Sequence, residues 1–180
     1  SLILGLLIGL AVLYGYKSYI SEKNSSQLIL SREYDIAVTA FKNGETDLIL
    51  EFSKKNQINN PKNIYTNLSN LYSARIMYDL NKLNDAYIYL DHIIDTSTDS
   101  EIKDLAIYRK AKILIDEGKY EEAHLILQNS ESYQHIELKG DLYLIQKDYV
   151  SAMKNYKDVL TFSITPNERK NIISKINLIK

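Results

Sequence analysis

Apolar residues in this chain recur at helical spacing, and the recurrence repeats. Leu83, Ala86, Tyr87, Leu90 and Ile94 form one set; Tyr120, Ala123, His124 and Leu127 a second; Tyr149, Ala152, Met153, Tyr156 and Leu160 a third. Each set has residues at positions 0, +3, +4 and +7, which is one face of an amphipathic helix. No sustained apolar–polar alternation competes with it after Ile20. The alanine at +3 is small enough to let a neighbouring helix approach closely.

The segment upstream of each alanine repeats too. Twelve residues earlier stands another small residue (Ala74, Ala111, Gly140), followed three positions on by a bulky one (Met77, Leu114, Tyr143). Polar turns separate the halves: Asn81-Lys82, Glu117-Gly118-Lys119 and Gln146-Lys147-Asp148. A fainter copy has Tyr34, Ala37, Phe41 and Asn43-Gly44. The alanines stand 37 and then 29 residues apart, which brackets the 34-residue helix–turn–helix period of tetratricopeptide repeats. The predicted helices are 22–43, 46–56, 62–80, 84–95, 99–117, 120–129, 131–146, 149–160 and 166–178. Gly118 is placed to end a helix in the left-handed conformation. Thr98-Asp99-Ser100-Glu101 and Thr165-Pro166-Asn167-Glu168 read as capping boxes. A single helix pair cannot bury its apolar face, so the pairs are expected to stack, with the Ile-rich last helix (Ile172, Ile173, Ile176, Ile179) closing the stack.

Leu2 to Tyr16 is uncharged and almost wholly apolar, and Tyr14, Tyr16, Lys17 and Tyr19 gather at its end. About 20 apolar residues span a bilayer, and Tyr and Lys anchor such helices at the interface. No small-residue cleavage site follows the run, which disfavours a signal peptide. With Ser1 first and no basic segment before it, the span is expected to be truncated upstream. The fold class is therefore all-α: an N-terminal transmembrane helix over 1–19, then a solenoid of about four to five tetratricopeptide-like hairpins over 20–180.

Composition removes several classes of function. Basic and acidic residues number 22 and 23, so no nucleic-acid partner is expected. Without cysteine there is no disulfide framework, thiolate zinc site or cysteine nucleophile. His92, His124 and His135 lack metal-ligand spacing; His124 falls on the buried stripe as a packed core or edge residue, whereas His92 and His135 are expected to be exposed. No phosphate-binding loop, nucleophile elbow or dinucleotide motif occurs. No catalytic residue, metal or cofactor is expected, and the chain reads as a non-enzyme. Its 24 Ile, 18 Lys, 15 Asn and 15 Tyr against 4 Arg are a low-GC coding bias and not a binding code.

The run Leu71-Tyr72-Ser73-Ala74-Arg75, the segment Tyr108-Arg109-Lys110-Ala111-Lys112-Ile113-Leu114, Leu138-Lys139-Gly140-Asp141-Leu142-Tyr143, and the closing Thr165-Pro166 and Lys175-Ile176-Asn177-Leu178 resemble the YfgM-type ancillary subunits of the SecYEG translocon. The resemblance implies a single-pass protein of the bacterial inner membrane with its repeats in the periplasm. It also implies association with the SecYEG translocon and with a PpiD-type periplasmic chaperone, and a part in passing exported polypeptides to folding factors. No catalytic residue comes with it. Mapping repeat positions onto the first helix of each pair makes Tyr34, Phe41, Arg75, Tyr78, Tyr108 and Lys112 the expected protein-binding residues, with Tyr72 and Tyr143 as further candidates. A general scaffold for assembling an envelope complex and a holdase chaperone are the rival readings; the holdase would need an exposed apolar groove.

Overall fold

The computed structural model describes the backbone of residues 2–179, and the side chains of all of these except 2–12, 22 and 23. Nine helices and no strand occur among the described residues: α1 (Leu2–Lys42), α2 (Asp47–Asn59), α3 (Ile64–Asp79), α4 (Leu83–Thr96), α5 (Ser100–Asp116), α6 (Tyr120–Leu127), α7 (Tyr133–Ile145), α8 (Tyr149–Val159) and α9 (Pro166–Ile179). Eight of them start and stop within about three residues of the sequence expectation. The first differs: a break near residue 20 is expected, and a single helix runs through it, because Ser18 to Asn24 contains neither Gly nor Pro to stop the hydrogen-bond ladder. Among the described residues no helix is long and apolar enough to cross a membrane. The expected anchor, residues 1–19, lies outside the described side chains as far as residue 12.

The chain divides into two compact units, Ser1–Ser73 and Ala74–Lys180, with the boundary inside α3. In the first unit α1 packs on α2 through Ala37, Val38, Ile49 and Phe52, all buried. Its second seam, α2 against α3, is polar. The Ser53 and Ser73 hydroxyls meet at 2.7 Å, and Gln57 Nε2 donates to Asn70 Oδ1 at 3.0 Å. Asn56, Thr66 and Asn67 are buried beside them.

In the second unit the core is a series of small clusters. Ala111 packs with Leu127 and Leu138, Ala123 with Leu114 and Leu142, and Ala152 with Tyr156, Val159, Ile172 and Ile176. Each cluster holds one of the repeated small residues, Ala111 from the upstream set and Ala123 and Ala152 from the +3 set, and joins helices adjacent in the stack. The upstream small positions are equally closed: Ala74 and Ala111 are buried, and a Cβ added to Gly140 would stand 2.6 Å from Cε1 of Tyr156. Tyr156 cannot easily retreat. Its hydroxyl donates to Asp141 Oδ1 at 2.7 Å, and Lys175 of α9 binds Asp141 at 2.6 and 2.8 Å and Glu137 at 2.7 Å. The last helix closes the stack through this network and through Ile172 and Ile176; Ile173, expected on the same side, is 45% exposed.

The four turns within the helix pairs share one geometry. Gly44, Asn81, Gly118 and Lys147 all have positive φ (92°, 58°, 75° and 63°). In each, the next residue's N–H reaches back five residues: Glu45 to Ala40, Lys82 to Met77, Lys119 to Leu114 and Asp148 to Tyr143, at 2.8–3.0 Å. This is the Schellman closure, which satisfies the helix's last carbonyls. Elsewhere, Thr165 and Glu168 form the expected reciprocal capping box at 2.7 and 3.3 Å. The cap of α5 is Asp99 and not Thr98: its carboxylate accepts from the Glu101 and Ile102 N–H groups at 2.9 and 3.1 Å, Asp99 standing one residue closer to the free donors.

The histidine expectations need correction. His135 is only 1% exposed. Its Nε2 bonds to the Asp104 carbonyl at 3.0 Å, its Nδ1 bonds to the Ser130 hydroxyl, and its ring stacks on Tyr108 at 5.9 Å. Its place in the repeat explains the burial: Ser69 and Ala106 stand at the same distance before their own small residues, and both are buried. His92 is half-buried, with Thr96 beside it. His124, in contrast, is half-buried as the edge residue its place on the stripe allows, bonding Gln146 Oε1 at 2.9 Å.

Two predictions follow from this packing. A left-handed conformation costs a residue with a Cβ roughly 1–2 kcal/mol, so Lys147→Gly should stabilise the chain by about 1 kcal/mol and Gly118→Ala should destabilise it by a similar amount, read from urea midpoints. Burial lowers the pKa of His135 below 6.5; the Asp104 carbonyl opposes this, and nearby Lys139 adds to it. A depressed histidine contributes stability above about pH 6.5 and loses it as pH falls toward its folded pKa. Melting midpoints should therefore drop between about pH 7.5 and 5.5 in the parent and less in His135→Gln; equal slopes would contradict the assignment.

Candidate protein-binding groove

In the second unit, α5 turns a stripe of residues at three- and four-residue spacing toward a groove: Leu105, Tyr108, Arg109, Lys112, Ile113 and Asp116. The C-terminal turns of α3 supply Ala74, Arg75 and Tyr78 opposite, and Leu90 of α4 lies in the floor. The groove encloses about 510 Å³. Leu90 and Ile113 are buried, so its base is apolar, while Arg75, Tyr78, Leu105 and Lys112 are exposed around it.

Hydrogen bonds fix the polar side chains. The Tyr78 hydroxyl donates to Asp116 Oδ2 at 3.0 Å, and that bond to a carboxylate raises the phenol's pKa. Arg75 Nε donates to both oxygens of Asp79, at 2.7 and 2.8 Å. Lys112 Nζ lies 5.8 Å from the centre of the Tyr108 ring, within cation–π range. The opposite face of chemistry is closed off: Tyr108 also stacks on buried His135, so its ring is held in place, and burial raises its pKa. The result is a preformed surface with a greasy base and a rim of fixed donors and cations. Such a surface suits an extended polypeptide.

Four of the six expected binding residues, Arg75, Tyr78, Tyr108 and Lys112, meet in this groove. The other two lie in the first unit and are half-buried in aromatic packing. Tyr34 sits 5.9 Å from Phe52 and 5.2 Å from Tyr65, where burial above all pushes its pKa up to about 12; Phe41 sits 5.0 Å from Tyr72. Tyr143 packs instead against His124 at 4.8 Å. The sequence reading missed Leu105, Arg109, Ile113 and Asp116, although each lies on the helical stripe that Tyr108 and Lys112 already define. Among the described residues, no three His, Asp or Glu side chains are grouped to hold a metal ion.

Comparison with known proteins agrees with the geometry. A protein-family model described as a tetratricopeptide repeat-like domain matches residues 1–179. The ancillary SecYEG translocon subunit of Buchnera aphidicola subsp. Schizaphis graminum (strain Sg) is 31% identical over 133 residues, covering 71% of this chain and 68% of that protein. The ancillary SecYEG translocon subunit of Escherichia coli (strain K12) is 26% identical over 181 residues, covering 98% of this chain and 87% of that protein. With stacked helix pairs, shared turn geometry and a match along nearly its whole length, the chain belongs to the tetratricopeptide repeat-like family and is of the YfgM type.

Proposed function

We propose that this chain is a non-catalytic ancillary subunit of the SecYEG translocon: a membrane-anchored docking module that links exported polypeptides to periplasmic chaperones. Residues 1–19 act as the single inner-membrane span, and 20–180 form the repeat domain on the periplasmic side. Anchoring raises the local concentration of the groove beside the channel, so weak contacts suffice for capture. The observation that carries the reading is the similarity to the Escherichia coli translocon subunit over 98% of the chain. The groove lined by Arg75, Tyr78, Tyr108 and Lys112 supports it as a place for a polypeptide to dock. Tyr34 and Phe41 are proposed as further binding residues of the first unit, where they pack on Phe52 and Tyr72.

Full-length protein purified from mildly solubilised membranes should bring channel subunits with it. A photo-crosslinking residue at Tyr78 or Tyr108 should capture the channel, a PpiD-type chaperone or an exported chain, while the same probe at exposed Lys157 on α8 should capture far less. Equal capture at the two places, or capture of none of these partners from the groove, would overturn the reading.

A further inference from the structure

We propose that the groove reads apolar side chains and is indifferent to charge, so that its occupant is any extended stretch of an unfolded polypeptide with apolar residues at alternate positions; this rests on the reading of the groove as the docking site. The rim is charged, but its charges are compensated within the chain. Arg75 binds both carboxylate oxygens of Asp79, Asp116 accepts from the Tyr78 hydroxyl, Lys112 lies over the Tyr108 ring, and Arg109 has an interaction partner of its own. A charged side chain arriving at the rim must compete with these contacts. Exchanging one partner for another in solvent gains little for either sign of charge. The base behaves differently. Leu90 and Ile113 are buried, and Leu105 and Tyr78 stand 40% and 38% exposed around them. An apolar side chain that covers this surface removes it from water, whatever the residues on either side of it. The dimensions fit alternation. Leu105 and Ile113 are eight residues apart on α5, about 12 Å along the axis. A strand laid along the helix covers that distance in about four residues and turns alternate side chains to one side. Two or three apolar side chains therefore meet the base, while the residues between them face solvent and the compensated rim. Any unfolded chain destined to form amphipathic strands carries such stretches, so the site suits many chains over one.

The test uses four fluorescein-labelled ten-residue peptides: Leu alternating with Glu, Ser or Lys, and Gly alternating with Ser. Each is titrated with the full chain in nanodiscs of zwitterionic lipid and followed by anisotropy, with empty nanodiscs as the blank. The three Leu peptides should bind within about threefold of one another. That order should hold as NaCl rises from about 0.05 to 0.5 M. The Gly/Ser peptide should bind at least about tenfold more weakly. Leu105→Ser/Tyr78→Ser should weaken all three Leu peptides alike, with the helical signal in circular dichroism reporting an intact fold. Should that pair unfold the chain, the single change of exposed Leu105→Gln should weaken them alike by about threefold. A preference of about tenfold or more for the Glu or the Lys peptide, or equal binding of the Gly/Ser peptide, overturns the apolar reading and leaves the docking site standing. Binding of none of the four overturns both. Self-association in sedimentation that the Leu105 and Tyr78 changes abolish, with no competition from the Leu/Ser peptide, would assign the groove to a second copy of the chain and overturn the proposal.

Discussion

Close approach between helices is the constraint on which the second unit depends. Helix axes reach their shortest separations where one side contributes almost no side chain. Ala86, Ala111, Ala123 and Ala152 have no exposed surface, and Gly140 could not carry even a methyl group without pushing the Tyr156 ring. The bulky members of the pattern then fill the space between pairs: Leu114 and Leu142 around Ala123, Leu127 and Leu138 around Ala111. Each cluster is too small to sustain a domain alone. Stability is shared between neighbours, as in other stacked repeats, and α9 supplies the final neighbour with Ile172, Ile176 and the Lys175 ion pairs.

The same periodicity builds the groove. With one stripe of α5 committed to the core through Ala106, Ala111 and Leu114, the stripe beside it must hold Leu105, Tyr108, Arg109, Lys112 and Asp116. Tyr108 belongs to both, packed against buried His135 on one side and Lys112 on the other. Core and groove are therefore two faces of one element, and rigidity in the first gives preorganisation in the second. That coupling suits a module whose proposed work is to hold other chains and not to transform them.

Much of this architecture could be read from the residues because it is written repeatedly. Small, bulky and turn positions recur in register, and each copy corroborates the next; Gly118 and the Thr165–Glu168 box behave as local rules demand. What escaped the reading was set by tertiary surroundings. Lys147 occupies a left-handed position that composition assigns to Gly or Asn, and only its alignment with Gly118 and Asn81 reveals it. His135 looks like a surface residue by type, yet Ser69 and Ala106 at matching positions mark the site as interior. The polar seam of Ser53, Ser73 and Asn70 in the first unit has no counterpart in the apolar pattern used to find the repeats. In the groove, Arg75, Tyr78, Tyr108 and Lys112 follow from repeat position, whereas Arg109 and Asp116 join them only because the packing of α5 turns its whole stripe into the groove.

Native-state hydrogen exchange on Ala111→Leu gives the most direct measurement of whether the second unit is held together seam by seam. Leucine overfills the Ala111–Leu127–Leu138 cluster, where α5, α6 and α7 meet. Loss of protection concentrated in those three helices, with α8 and α9 retaining theirs, is the predicted result. A uniform loss from Ala74 to Ile179, the signature of one undivided core, would contradict the account.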